Sequence, residues 1–294
     1  QLKAVKKDND TQRCVPGFAS VSKPVSFWSD YVSPASNLFG SKVTVNGSAI
    51  ATSQGTAVTS NLSFDANGET TLTVNYPDAG QMRLNAIHNG SGDTAGLVMT
   101  GSDLFVSRPA GLCITPTQGA CAAGDASCPV FKKTGEAFQL NIKGVAWQAD
   151  DDKDLCSGNL ATPNFALANI ALGSELVAPK PGVEAVVGTP RYDHSNAKGS
   201  NNLNIVSQSV NEVGVFQMTA TPPASGYFGY TIPAATSVPL GRFVPSEYSL
   251  SGGFITPACT PFSYMGQPFA SGFAITARNA QQGNTLNYKG EFAK

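Results

Sequence analysis

Charge is scarce in this sequence of 294 residues. Asp, Glu, Lys and Arg make up 13% of it, roughly half the usual share of a soluble domain. The 19 basic and 20 acidic residues nearly cancel, which leaves no electrostatic footprint for nucleic acid or for an anionic membrane surface. No apolar run approaches the roughly 20 residues of a membrane-spanning helix, so no membrane insertion is expected. Histidine is scarcer still. His88 and His194 stand apart and no Cys-x-x-Cys pair occurs, which argues against a structural zinc site. Helix-length stretches are also few: 30 glycines and 19 prolines interrupt the chain, and the gaps between them rarely reach the roughly 11–12 residues of an average helix. No nucleophile elbow or phosphate-cradling loop is present. Both histidines read as loop residues, His88 before Asn89-Gly90 and His194 within Tyr192-Asp-His-Ser-Asn196. No catalytic residues are therefore assigned, and the chain is expected not to be an enzyme.

What fills the gaps alternates with period two. Val43-Thr-Val45 runs into Asn46-Gly47, a hairpin signal. Thr70 to Tyr76 places Leu72, Val74 and Tyr76 on one face, and Gln81 to Ile87 does the same with Met82, Leu84 and Ala86. With 41% hydrophobic residues there is enough to build cores. Short strands separated by Gly and Asn turns predict an all-β chain of tandem Ig-like antiparallel β-sandwich modules.

An internal repeat sets the organisation. Cys128-Pro-Val-Phe131, Gly135-Glu-Ala-Phe138 and the strand from Gln139 return 131 positions later as Cys259-Thr-Pro-Phe262, Gly266-Gln-Pro-Phe269 and the strand from Ala270. A looser copy opens the chain with Cys14 and Phe18. Downstream, Thr162-Pro-Asn-Phe165 is echoed by Thr285-Leu-Asn-Tyr288. Repeats this long are whole domains. The expected division is a tail at 1–13, a first β-sandwich at 14–110, a second at 111–247, and at 248–294 the start of a third module, cut off before it closes. That last piece is expected to be separable from the second sandwich, with an exposed edge open to self-association.

Several segments resemble the C-terminal β-rich region of the MSHA pilus biogenesis protein MshQ family. They are Tyr76-Pro-Asp-Ala-Gly80, Arg108-Pro-Ala-Gly111, Thr162-Pro-Asn-Phe165, Glu212-Val-Gly214, Gly241-Arg-Phe-Val-Pro245, Tyr264-Met-Gly-Gln-Pro-Phe269 and Thr276-Ala-Arg-Asn279, in the family's order. The resemblance implies an exported Gram-negative protein tied to type IV pilus operons. It implies an extracellular or cell-surface location, a structural or adhesive role, and pilus or surface proteins as partners. It supplies no catalytic residues.

Three candidate sites remain. Asp150, Asp152 and Asp154 alternate and could face one calcium ion with Asn159 as a further ligand; the plainer reading, preferred here, is a solvated acidic loop. Trp28 with Tyr31, and Tyr227 with Tyr230, could form platforms for glycans, which makes a carbohydrate-binding module the alternative function. Core packing is the preferred reading for both pairs, and more so for Trp147. Six cysteines allow fifteen connectivities. Four of them, Cys113, Cys121, Cys128 and Cys156, crowd together, and two bridges among these are expected, with Cys113–Cys156 and Cys121–Cys128 favoured.

Overall fold

The computed structural model describes residues 1–293. Apart from four short 3-10 turns, every regular element among them is a strand. In chain order the first module contributes β1 (Leu2–Lys3), β2 (Val5–Lys7), β3 (Cys14–Pro16), β4 (Val21–Ser33), β5 (Thr44–Val45), β6 (Ser48–Ala49), β7 (Val58–Phe64), β8 (Glu69–Thr70), β9 (Val74–Asn75), β10 (Gly80–Asn89) and β11 (Val98–Ser107). Four of these form an antiparallel sheet in the order β11-β10-β4-β7. Along β4 the alternation is strict: Lys23, Val25, Phe27 and Ser29 are buried, while Ser22, Pro24, Ser26 and Trp28 point the other way. The outward row meets β7 through hydroxyl pairs, Ser22 with Ser63 at 2.9 Å and Ser26 with Thr59 at 2.7 Å. Such cross-strand pairs give a neutral polar surface without charge. The inward row packs against Val43, Val45 and Ile50, in and flanking the β5–β6 hairpin.

The expected tail at 1–13 is instead part of this sandwich. Leu2 and Lys3 pair with Thr70 and Glu69, and Ala4 lies in the core. Its apolar residues are too sparse to signal a strand, but the partner strand supplies the missing backbone bonds. The single strand expected over Thr70–Tyr76 is likewise divided, β8 pairing with β1 and β9 with β5.

The second module adds β12 (Gly111–Pro116), β13 (Lys132–Lys133), β14 (Phe138–Val145), β15 (Leu167–Ala178), β16 (Arg191–His194), β17 (Asn204–Gln208), β18 (Gly214–Thr221), β19 (Ala235–Thr236) and β20 (Leu240–Val244). One sheet runs β12-β14-β17, the other β13-β20-β18-β15-β16. The stretch β20-β18-β15-β16 repeats the order β11-β10-β4-β7 of the first module. Phe138, Leu140 and Ile142 of β14 face Ile170, Leu172, Phe216 and Phe243 across the core. Two disulfides fasten this module, Cys113–Cys156 and Cys121–Cys128, the pairs favoured from the crowding. Cys14 and Cys259 are free thiols.

The last segment holds β21 (Glu247–Thr256) and β22 (Ala270–Arg278), which pair only with each other. By the repeat, Phe269 and Phe273 stand where Phe138 and Ile142 stand in the second module. There the side chains are buried; here Leu250, Phe273 and Ile275 are exposed. The chain beyond β22, expected to be separable, packs against the second sandwich. Asn279 Nδ2 donates to Asn211 O at 3.0 Å, and Phe292 packs with Val213, Val215 and Cys128 in a small core of its own. An aromatic four residues after Tyr288 has no counterpart in the repeat frame, so the part of the docking made by Phe292 left no sequence signal.

Candidate functional site

The sequence-derived candidates scatter. Asp150 Oδ1 accepts from Trp147 Nε1 at 3.2 Å, Asp152 Oδ1 from the amide of Asp154, and Asp154 Oδ1 from the amide of Cys156, both at 3.1 Å. Asn159 turns away to donate to Ala146 O. Those of Asp152 and Asp154 are local turn bonds of the kind Asp makes with backbone two residues on. No group of three His, Cys, Asp or Glu that could hold a metal occurs among the described residues, so the four candidate calcium ligands are not brought together.

The aromatic platforms do not assemble either. Trp28 lies on the outward face of β4, whereas Tyr31 turns inward and donates to Ser41 O at 2.6 Å. Tyr227 is a core residue packed against Phe165, with ring centroids 5.4 Å apart and the rings tilted at 60°. Tyr230, across a tight turn, is exposed. Trp147, expected in the core, is 66% exposed; it stands two positions past Val145, the last residue of β14, where the strand leaves the sandwich. Both histidines are buried in strands rather than loops. The chain continues as β10 through His88, whose Nδ1 lies 2.7 Å from Pro24 O and Nε2 3.2 Å from Thr94 Oγ1. An apolar cleft lined by Leu2, Phe18, Phe64, Leu97 and Met99 lies above His88, but both ring nitrogens are already engaged.

The most completely built polar constellation was not legible locally. It joins the two sandwiches. Asp78, in the turn Tyr76-Pro-Asp-Ala-Gly80, is 1% exposed. Its Oδ1 accepts from the amides of Ala79 at 2.7 Å and Asn164 at 2.9 Å. Its Oδ2 accepts from Asn164 Nδ2 at 2.9 Å and Ser41 Oγ at 3.1 Å. Asn164 Nδ2 also reaches Tyr76 Oη at 3.3 Å. The turn that presents Asn164 is hooked back onto β14 by Thr162 N to Gly144 O at 3.0 Å. Ala79, from the first module, lies within the core of the second.

Burial pushes the Asp78 carboxyl above the ordinary carboxylate range, against the pull of the donors from Asn164, Ala79 and Ser41. A raised carboxyl in a cleft would suggest acid–base chemistry. Here four donors occupy both oxygens and the group is sealed from solvent, so no substrate reaches it. What the arrangement can do is hold: hydrogen bonds to a charged acceptor contribute about 1.5–3 kcal/mol each when made.

Three domain descriptions of one family match successive stretches of the chain. "Domain of unknown function (DUF6701), first Ig-like domain" matches residues 1–102, "DUF6701, second domain" residues 108–204, and "DUF6701, third domain" residues 212–294. In space, β18 and β20, which fall in the third matched stretch, complete the sheet of the second sandwich. No curated protein matches the chain. Among solved structures, the "D0-D1 domain of Intimin" aligns at 11% identity over 79% of this chain and 88% of that one, with a TM-score of 0.26; a superposition that loose bears on neither fold nor function. With its first, second and third domains matched in order along nearly its whole length, the chain belongs to the DUF6701 family.

Proposed function

We propose that this chain is a non-enzymatic structural and adhesive part of an exported bacterial surface protein, of the type IV pilus-associated kind that its MshQ-like segments suggest. The observation that carries this reading is the junction between the sandwiches. Its buried ionisable group holds one module to the next and is closed to any reactant. Tandem Ig-like modules held this way make an extended scaffold. The two disulfides support an oxidising compartment outside the cytoplasm, and the neutral Ser/Thr-rich faces suit an exposed surface.

The test is performed on intact cells of a Gram-negative host carrying the tagged full-length gene product. Added protease should remove the tag, and a thiol reagent should label only Cys14 and Cys259 within this region. Protection of the tag until lysis, with all six cysteines reactive in the denatured protein, would overturn the reading. Loss of surface attachment on deleting the gene would separate adhesion from a purely spacing role.

A further inference from the structure

The acidic residue at the first junction has a counterpart one module on. Asp78 stands two positions before Gly80, which opens β10, and Glu212 stands two positions before Gly214, which opens β18. The two strands hold the same place in sheets of the same order. The glycines answer the same crowding: a Cβ on Gly80 would lie 2.8 Å from Ser33 O at the end of β4, and one on Gly214 would lie 2.6 Å from Ala178 O at the end of β15. The facing partner repeats as well. Asn164 sits in Thr162-Pro-Asn-Phe165 and Asn287 in Thr285-Leu-Asn-Tyr288. Thr285 N donates to Ala277 O of β22 at 3.0 Å, as Thr162 N does to Gly144 O of β14.

The hydrogen bonds match. Glu212 Oε1 accepts from Val213 N at 2.8 Å and Asn287 N at 3.1 Å, as Asp78 Oδ1 accepts from Ala79 N and Asn164 N. The second oxygen differs for a geometric reason. Glutamate is longer by one methylene, so Oε2 reaches the amide of Leu286 at 2.9 Å instead of the asparagine side chain. The Asn287 amide is thereby released to donate to Val183 O at 2.9 Å and Val213 O at 3.0 Å, and to accept from Val183 N at 2.8 Å. Glu212 and Asn287 are both buried. Apolar packing would require none of this. A buried carboxylate or amide left without its partner costs more than an apolar filling, so each contact rejects a neighbour that does not match.

We propose that the chain uses one clasp twice. A carboxylate two residues before the glycine that opens a module's central strand receives the asparagine of a Thr-X-Asn-aromatic turn from the following module, and the match fixes how successive modules sit and keeps them from hinging. The partner this socket fits is therefore the turn of another module of the same kind. The inference stands on the repeated hydrogen bonds and does not depend on where the protein resides.

The experiment compares the full chain with Asn164→Asp, with the exchange Asp78→Asn/Asn164→Asp, and with Glu212→Ala, by small-angle X-ray scattering and amide hydrogen exchange. Asn164→Asp sets two carboxylates against each other. The exchange restores the fit: the new amide oxygen at 78 takes the two backbone N–H groups, and its nitrogen donates to the new carboxylate at 164. Wild type and the exchange variant should scatter alike and protect the amides of residues 79 and 164. Asn164→Asp should give a more extended scattering curve and about tenfold or faster exchange at those amides, corresponding to one lost charge-assisted hydrogen bond, with Phe27 and Phe216 still protected. Glu212→Ala should speed exchange at residues 286 and 287 and leave 79 and 164 unchanged. Asn164→Asp indistinguishable from wild type, or an exchange variant as loose as the single variant, would overturn the proposal. Should Asn164→Asp unfold the second sandwich, unchanged exchange at 286 and 287 in Glu212→Ala would overturn it instead.

Discussion

His194 Nε2 lies 2.6 Å from Asn202 Oδ1 inside the second sandwich, and this contact fixes the tautomer of the ring. Asn202 Nδ2 donates to Pro163 O and Phe165 O, and its Oδ1 also accepts from Gly144 N, so the amide cannot turn and His194 Nε2 donates to it; Asn204 Nδ2, 3.1 Å from the same ring nitrogen, has Ser195 O and Asn202 O to take its two hydrogens. Nδ1, 2.9 Å from Tyr192 Oη, is left to accept. Burial lowers the pKa of the ring from 6.5 to about 4, against the pull of Asn202, and so holds it neutral.

A depressed histidine makes folding sensitive to acid. Above pH 6.5 the ring is neutral in both states and the shift has no effect. Between pH 6.5 and about 4 only the unfolded chain takes up the proton, so stability falls with pH, by up to about 3 kcal/mol for a shift of this size. Asp78 acts in the opposite sense: its raised pKa favours the folded state in acid, and that contribution is lost as pH rises through its folded value. The difference between wild type and His194→Gln isolates the histidine. Urea unfolding at pH 7 and pH 5 should show the gap between them narrowing in acid. A constant gap would mean that His194 is not held neutral.

The two disulfides should contribute unequally. Cys113–Cys156 spans 43 positions and Cys121–Cys128 spans 7. Loop-closure entropy then gives about 4 kcal/mol for the first and about 2 kcal/mol for the second. Paired serine substitutions, measured by urea unfolding without reductant, should rank in that order. Denatured, unreduced protein should titrate two thiols.

Calcium should leave the melting curve where it is. The carboxylates of Asp152 and Asp154 already accept backbone amides within the loop, and no converging set faces a cation. A rise in melting temperature on adding calcium, abolished by Asp152→Ala, would show that the loop rearranges around the ion.

Gly80 and Gly214 should be equally intolerant of alanine. Their φ angles, +157° and +143°, are ones that L side chains rarely adopt. Each added methyl group would also meet a backbone carbonyl that has no room to move. Gly80→Ala and Gly214→Ala should each lower stability by about 1–3 kcal/mol, whereas Gly55→Ala, which meets nothing, should not. Thermal unfolding of the three variants provides the comparison.

The sequence was informative where structure follows local pattern. Met82 and Ala86 of β10 turn inward as the alternation demands, and the cysteine crowding pointed to bridges that the fold makes. It was silent where a residue is satisfied from far away. Asp78 and Asn164 meet across 86 positions and Glu212 and Asn287 across 75, and no local spacing announces either pair. The histidines misled for a related reason. Polar residues beside Asn89-Gly90 or Ser195-Asn196 look like turns, yet each ring lies just inside a strand end with both nitrogens engaged, His88 by Pro24 from 64 positions away. Trp147 misled the other way, since hydrophobicity alone does not say where β14 leaves the core.

The last segment should divide sharply in its energetic importance. Its hairpin carries Leu250, Phe273 and Ile275 on an exposed face, so Ile275→Ser removes no packing and should stay within about 0.5 kcal/mol of wild type. The residues after β22 are different. Phe292 is buried against Val213, Val215 and Cys128, Asn287 bonds Val183 and Val213, and Glu212 depends on Leu286 and Asn287 for two of its three donors. Phe292→Ala should therefore cost about 3 kcal/mol, the low end for a buried phenylalanine at the margin of a core. Truncation after residue 247 should cost at least as much, because it uncovers the two valines along with the phenylalanine site and strips the Glu212 socket. Chemical unfolding of the three proteins decides it. If the truncated chain matched wild type, residues 279–292 would not be docked on the second sandwich; if Ile275→Ser were as damaging as Phe292→Ala, the hairpin face would be covered in solution.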